Sequence, residues 1–165
     1  MTILAAPLLA SLLGLMAAGF FAGSAQSQSL NHQAVGTWTL VSVKVGDADA
    51  YGPNPHGIMF LDAGGRFSVS IVRTGIAKFT ANNRTKGTDA ENAAVVHGAL
   101  NYFGTYTIDE AGKSITVNIE ASSYPNFEGQ TQKRTLAVNG DELQVMNAAP
   151  SGGGGVATQI WKRAK

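Results

Sequence analysis

Arg134 and Gln132 are the polar residues whose spacing points most directly to chemistry. They lie two and four positions before Leu136 in a segment rich in strand-forming residues. Every second side chain of a β-strand lies on the same face, so the three residues share one face. An arginine among apolar side chains needs a partner, because an isolated buried charge is costly. One interpretation is a guanidinium that orients a carboxylate or another polar group of a ligand by a two-pronged contact. The alternative is a salt bridge with a residue such as Glu120 or Glu142.

Three tyrosines and one histidine are further candidates. The hydroxyls of Tyr102, Tyr106 and Tyr124 are able to bind a ligand, but tyrosine is also an ordinary strand residue whose polar tip reaches water. His97 has two interpretations as well: it lines a cavity or acts as an acid or base, or it belongs to a helix face and has no chemical role.

Several kinds of site are excluded by composition and spacing. The 165-residue chain has no cysteine, so it has no thiol nucleophile and no disulfide. His32, His56 and His97 lie far apart along the chain, which argues against a dedicated transition-metal site. The formal net charge is +1, without the concentrated basic surface that nucleic acids require. We expect no cofactor and no nucleic-acid partner.

Eight segments rich in Val, Ile, Thr and aromatic residues predict eight β-strands. Turn signals such as 62–65, 109–112 and 139–141 separate them, and short turns imply antiparallel neighbours. Eight twisted antiparallel strands lose their exposed edges by closing into a barrel. We therefore predict an all-β fold, an eight-stranded antiparallel up-and-down barrel. The predicted strands are 37–45, 57–61, 66–73, 102–108, 113–120, 131–138, 142–147 and 156–162.

Alternation within these strands predicts which side chains face the interior. Phe67, Val69 and Ile71 form one set, and Ile115 and Val117 belong to another. Combined with the polar candidates, they form the predicted ligand-binding group. Its members are Phe67, Val69, Ile71, Tyr102, Tyr106, Ile115, Val117, Tyr124, Gln132 and Arg134.

One short helix is predicted between the third and fourth strands. Thr88 and Glu91 have the spacing of a capping box, in which two side chains satisfy free backbone donors. Gly98 is expected to end the helix in a left-handed conformation. Its position suggests a lid over the mouth of the barrel.

The first 25 residues differ from the rest of the chain. Residues 1–25 carry no charged side chain, and small residues followed by polar ones surround Ala25. This pattern is typical of a secretory signal peptide, and it predicts an exported protein that is periplasmic or secreted. An uncleaved membrane anchor is the alternative, because no Lys or Arg precedes the apolar run. The predicted organisation is a signal peptide over 1–25, a flexible segment over 26–34 and one barrel domain over 35–165.

A Gly-x-Trp motif, Gly36-Thr37-Trp38, opens the first predicted strand. Further motifs are Tyr102-Phe103-Gly104-Thr105-Tyr106 and Tyr124-Pro125-Asn126, the latter followed by Gln132 and Arg134. In these motifs the chain resembles the bacterial lipocalin-like domain family, from about residue 35 to residue 163. The resemblance implies an eight-stranded barrel that holds a small apolar ligand. It also implies that Gly36, Trp38 and Arg163 close one end of the barrel, with the arginine packed on the tryptophan.

Three functions are compatible with the sequence. The first is an exported protein that binds a small hydrophobic or amphipathic molecule inside the barrel. The second is a cofactor-free isomerase or cyclase, in which Arg134, Glu120 or a tyrosine assists by charge or proton transfer. The third is a structural or interaction domain whose barrel is packed solid by its own side chains. The oligomeric state is left open.

Overall fold

A computed structural model describes residues 28–165 of the chain. The predicted signal peptide, 1–25, lies outside the described residues. Within the described part, no helix is both long enough and apolar enough to cross a bilayer.

The described chain forms a closed antiparallel β-barrel. Eight strands pair in chain order, and the last returns to pair with the first, which closes the sheet. A two-residue strand adds to the first strand at its far end. The predicted fold, an eight-stranded up-and-down barrel, is confirmed. The elements are α1 (Leu30–Ala34), β1 (Gly36–Val45), β2 (Ala48–Asp49), β3 (His56–Leu61), β4 (Arg66–Val72), α2 (Asp89–Gly98), β5 (Ala99–Asp109), β6 (Ser114–Ser122), a 3-10 turn (Pro125–Phe127), β7 (Thr131–Asn139), β8 (Glu142–Asn147) and β9 (Ala157–Arg163).

Alternating burial on the strands separates the interior of the barrel from its outer wall. On β4, Phe67, Val69 and Ile71 are buried while Ser68 is exposed. This is the pattern of a sheet with one apolar face and one solvated face. The register changes once on β5, where a Cβ on Gly104 would lie 1.9 Å from the carbonyl oxygen of Asn118 on β6. Glycine is required there because the two backbones approach too closely for a side chain.

Helix α2 lies between β4 and β5, which are the third and fourth of the eight predicted strands. Its predicted capping box is present: the Thr88 hydroxyl accepts from the Glu91 N–H, and the Glu91 carboxylate accepts from the Thr88 N–H at 2.8 Å. The predicted left-handed ending at Gly98 is wrong. The next residue, Ala99, is already extended and begins β5, so the helix leads into the strand without a separate turn.

Helix α1 packs beneath the barrel, within the segment for which the sequence predicts flexibility. The Leu30 N–H donates to the Glu110 carboxylate at 2.7 Å, an anion at the helix start where free N–H groups favour negative charge. At the other end of α1, the Ala34 carbonyl accepts from Trp38 Nε1 at 2.8 Å. The helix is therefore attached to the barrel by residues far from it in sequence as well as by near ones.

Gly36, Trp38 and Arg163 meet at the same end of the barrel. The guanidinium carbon of Arg163 lies 4.2 Å from the centre of the Trp38 ring, within the range of a cation–π contact. Its two terminal nitrogens donate to the carbonyls of Val35 at 3.1 Å and Gln33 at 2.6 Å. Gly36 has φ +143°, and a Cβ there would lie 2.7 Å from Arg163 Nη1. These contacts close the bottom of the barrel.

Candidate functional site

A cavity of about 600 Å³ occupies the opposite end of the barrel. Its walls come from the ends of β1, β4 and β8, the starts of β5 and β9, Arg134 of β7, and the loops that follow β2, β6 and β8. Helix α2 contributes Val95, Val96 and His97 to the lining. The Val96 side chain is largely exposed, so α2 presents apolar surface at the mouth of the cavity.

Four of the ten predicted ligand-binding residues line this cavity: Ile71, Tyr102, Tyr124 and Arg134. They come from β4, β5, the loop after β6, and β7. Ile71 is fully buried, and Tyr102 and Arg134 are almost so. The barrel therefore brings a cation, phenol groups and aliphatic surface together from segments that are distant in sequence.

Arg134 is held at the inner end of the cavity by neutral partners. Its Nη1 donates to the Tyr102 hydroxyl at 2.8 Å, and its Nη2 donates to Gln132 Oε1 at 2.7 Å. The guanidinium carbon also lies 5.3 Å from the centre of the Tyr102 ring. Nε has no hydrogen-bond partner among residues 28–165. The side chain is thus fixed in orientation while part of its donor capacity stays unused.

Within the described part of the chain, no carboxylate neutralises this guanidinium. Among residues 28–165, no Asp or Glu oxygen lies within 4.0 Å of Arg134, although the residue is only 5% exposed. Glu120 instead forms an exposed ion pair with Arg66, with Nη2 and Oε2 at 2.9 Å. Glu142 is exposed on the outer side of β8. The predicted salt-bridge alternative is therefore wrong, because strand alternation turns both glutamates away from the interior.

Four predicted ligand-binding residues lie below Arg134 instead of lining the cavity. Phe67, Val69, Ile115 and Val117 surround a void of only about 20 Å³, comparable to the space of one water molecule. This part of the barrel is packed by its own side chains. Alternation correctly indicates that these residues point inward, but it does not indicate how deep in the barrel they lie.

The last two predicted residues have supporting positions. Gln132 does not line the cavity, and its side chain holds Arg134 and also bonds Gln130. Tyr106 lies at the closed end, where its hydroxyl donates to the Asp62 carbonyl at 2.6 Å. Burial, and secondarily the Asp62 charge, raise the pKa of Tyr106. Tyr106 is thus part of the fold and not of the cavity.

Tyr51 is a cavity residue that the sequence does not single out as a site. It lies in the loop between β2 and β3 and lines the cavity. Burial raises the pKa of the Tyr51 phenol, and its proximity to Tyr102 raises it further, while a hydrogen bond with Ser151 and the Arg73 charge act in the opposite direction. Tyr51 therefore stays a neutral phenol that is able to donate a hydrogen bond inside the cavity.

The apolar wall contains further residues that the predictions omit. Leu100 precedes Tyr102 by two positions on β5, so alternation would have identified it if the strand had been predicted to begin at Ala99. Val43 is shifted out of simple alternation by the bulge between Leu40 and Ser42. Phe127 comes from the 3-10 turn and packs edge-on against Tyr102, with ring centres 6.0 Å apart; no strand pattern marks it.

The described part of the chain contains no group of three or more His, Cys, Asp or Glu side chains that would hold a metal ion. Its polar cavity groups are instead phenols, amides, hydroxyls, one imidazole and one guanidinium. This set of groups is suited to hydrogen bonding and to pairing with an anion.

The chain is similar to one curated protein and to several solved structures. A carrier protein for 4'-hydroxy-3'-methoxypropiophenone, ppsC of Aspergillus oryzae, is 29% identical over 89 residues, which are 50% of this chain and 80% of that protein. Among solved structures, the REP1-NXSQ fatty acid transporter is 16% identical with a TM-score of 0.38, covering 81% of this chain and 98% of that one. A mutant of the fluorescent protein UnaG is 11% identical with a TM-score of 0.38 over the same shares.

The family match covers the whole barrel. The profile of the lipocalin-like domain matches residues 35–164, while the first and last strands of the barrel begin and end at Gly36 and Arg163. The predicted family is confirmed: the chain belongs to the lipocalin-like domain family.

Proposed function

We propose that the protein binds a small apolar or amphipathic molecule inside the barrel. The observation that carries this proposal is the contrast between the two halves of the interior. One half is packed around a void of about 20 Å³, and the other leaves a cavity of about 600 Å³. Ligand sites typically measure roughly 300–1,000 Å³ and combine apolar walls with a few polar groups. A barrel packed solid along its whole length, the third possibility, is at variance with this cavity.

The cavity has the composition of a site for an amphipathic molecule. Val43, Ile71 and Leu100 supply buried aliphatic wall, while the polar groups Arg134 and Tyr102 lie at its inner end. An apolar body in this space would remove its surface from water, which is favourable by about 25 cal/mol per Å² before the costs of binding. The Aspergillus relative, a carrier protein by name, is in line with a carrier function here.

Native mass spectrometry of the protein purified from its own cells tests the proposal. The released companion should be a stoichiometric small molecule with substantial apolar surface. Val43→Phe, which adds bulk to the cavity wall, should reduce that companion. Val41→Phe makes the same change on the outer wall and should retain it. A protein that is empty, and is not stabilised by any of a panel of fatty acids, aromatic ketones and polyketides, would refute the proposal.

Catalysis by a cofactor-free isomerase or cyclase is a second candidate that one observation favours. Arg134 Nη1 and the Tyr102 hydroxyl form a polar pair at 2.8 Å within the cavity, and such a pair is able to stabilise charge or deliver a proton. Incubating the released companion with catalytic amounts of protein tests this. Conversion to an isomer that Tyr102→Phe slows would support catalysis, and a companion that stays unchanged would refute it.

We also propose that the protein is exported. The proposal rests on the uncharged apolar run within residues 1–25 and the small residues before Ala25. Determining the N-terminus of the protein from fractionated cells tests it. A start near Gln26 in an exported fraction would support a cleaved signal peptide, a start at Met1 in the membrane fraction would support the anchor, and recovery from the cytosol would refute export.

A further inference from the structure

We infer that the ligand of this cavity is a monoanion, whose single negative group lies at the inner end against Arg134 and whose apolar body extends toward α2. This inference rests on the proposed function, because it concerns the chemical class of the molecule that the cavity holds.

Arg134 carries a buried charge that no carboxylate of the described residues compensates. The side chain is 5% exposed, and its two hydrogen-bonding partners, Tyr102 and Gln132, are both neutral. Within residues 28–165 no carboxylate reaches it. Buried charges in proteins are ordinarily paired with an opposite charge or bound to a metal. Because the described fold supplies no such partner, an anionic ligand is the natural source of the missing charge.

The guanidinium of Arg134 retains donor capacity beyond its two hydrogen bonds. A guanidinium has five N–H groups, and each terminal nitrogen here has one donor engaged, with Tyr102 or with Gln132. The planar group is therefore held rigidly while terminal N–H groups remain available beside the cavity that Arg134 lines. Such a pre-oriented fork suits a carboxylate better than a hydroxyl, because both oxygens of a carboxylate accept hydrogen bonds.

The lining of the cavity sets how many negative charges a ligand can carry. Arg134 is the only Lys or Arg side chain that lines the cavity among the described residues. The other titratable side chains in the lining are His97, Tyr51, Tyr102 and Tyr124. One guanidinium balances one negative charge, so a dianionic phosphate would leave a net negative charge in an apolar space. The site therefore favours a carboxylate or a comparable single anion.

The orientation of the ligand follows from the positions of the walls. Arg134 lines both the large cavity and the small void beneath it, so it lies at the boundary between them. Val95 and Val96 of α2 lie at the mouth. An amphipathic molecule would thus enter with its charged group first, leaving its apolar body to be covered by α2.

Three probes with one apolar chain test the inference: decanoic acid, decan-1-ol and decyl phosphate. Their affinities are measured at pH 7.5 by displacement of the neutral dye Nile red and by calorimetry. The wild-type protein should bind decanoic acid at least tenfold more tightly than decan-1-ol, and more tightly than decyl phosphate. Arg134→Gln should bring the affinities for the acid and the alcohol within threefold of each other. The matched control Arg84→Gln, an exposed loop position, should keep the wild-type preference.

The outcomes separate the inference from the proposed function. Equal binding of acid and alcohol by the wild-type protein, or tighter binding of decyl phosphate, would overturn the monoanion while leaving a small-molecule site in place. Failure of all three probes and of the dye to bind would overturn the monoanion, and an empty protein in the native mass spectrum that the wider panel also fails to stabilise would overturn the binding function itself. The comparison within the wild-type protein does not depend on whether Arg134→Gln folds.

Discussion

Replacing Arg134 by methionine should preserve or raise the stability of the ligand-free barrel. The side chain is hydrogen-bonded to Tyr102 and Gln132 at the inner end of the cavity, with no carboxylate within 4.0 Å of it among the described residues. Methionine is unbranched and flexible, so it is able to fill the space of the arginine stem. The variant removes a buried charge while retaining most of the apolar contacts.

The expected magnitude follows from opposing terms. The variant loses two hydrogen bonds and one cation–π contact; each hydrogen bond to a charged group contributes about 1.5–3 kcal/mol, and the contact about 0.5–2 kcal/mol. It is relieved of the cost of removing the guanidinium from water, which is several kcal/mol for a buried ion. Replacing buried ionic groups by apolar side chains of similar size is often neutral, or stabilising by about 1–4 kcal/mol. We therefore expect a free energy of unfolding that is unchanged within about 1 kcal/mol, or higher.

Urea unfolding of the ligand-free protein measures this directly, with Arg84→Met as the control at an exposed position. A change of 1 kcal/mol corresponds to roughly 2–8 °C in the melting temperature of a domain of this size. Destabilisation of Arg134→Met by more than about 3 kcal/mol would refute the reasoning, because that is the loss expected when one partner of a compensated buried pair is removed. Arg134 would then be a structural residue whose charge the protein itself compensates, and a ligand would not be needed to balance it.

Three other variants test the fold. Arg163→Leu should lower the free energy of unfolding by about 1–3 kcal/mol, because it removes the ring contact and two hydrogen bonds that close the barrel; an unchanged urea midpoint would contradict this role. Gly104→Ala should lower the free energy of unfolding by about 3 kcal/mol or more, since its Cβ would lie 1.9 Å from a carbonyl oxygen of the neighbouring strand. The control Gly152→Ala has open space around it and should change the urea midpoint little. Hydrogen bonds from the backbone N–H groups of Thr80 and Thr88 lower the pKa of Glu91 from 4.5 to about 2. The stabilisation of α2 by Glu91 should therefore be complete above pH 4.5 and lost as the pH falls toward 2. The protection of α2 against hydrogen exchange should fall over this range in the wild-type protein. An equal fall of that protection in Glu91→Gln would contradict the prediction.

Much of the fold could be predicted because its signals are local. Alternation on a strand such as β4 reflects the two faces of the sheet directly, and the capping box of α2 lies within four consecutive residues, 88–91. The helix α1 and the short strand β2 were not predicted. Both are too brief to show a periodic pattern, and α1 is attached to Glu110, 80 residues away from Leu30.

The candidate site could be predicted only in part, because period two reports the face of a strand and not its depth. Phe67, Val69 and Ile71 share one face of β4, yet only Ile71 lines the cavity. Tyr51 comes from a loop whose position depends on the whole barrel. No pattern in the residues around Tyr51 marks it as a cavity residue.

The sequence by itself determined the barrel, the family, the helix between the third and fourth predicted strands, and that Arg134 lies on the same strand face as Leu136. Each depends on spacing along one segment or on motifs within a segment. The tertiary structure alone decided which half of the interior stays open, that Glu120 faces away and pairs with Arg66, and that the guanidinium meets Tyr102 from a strand 32 residues away. The physical reason is that depth, cavity volume and charge compensation depend on how all eight strands pack around one space, which no single segment specifies.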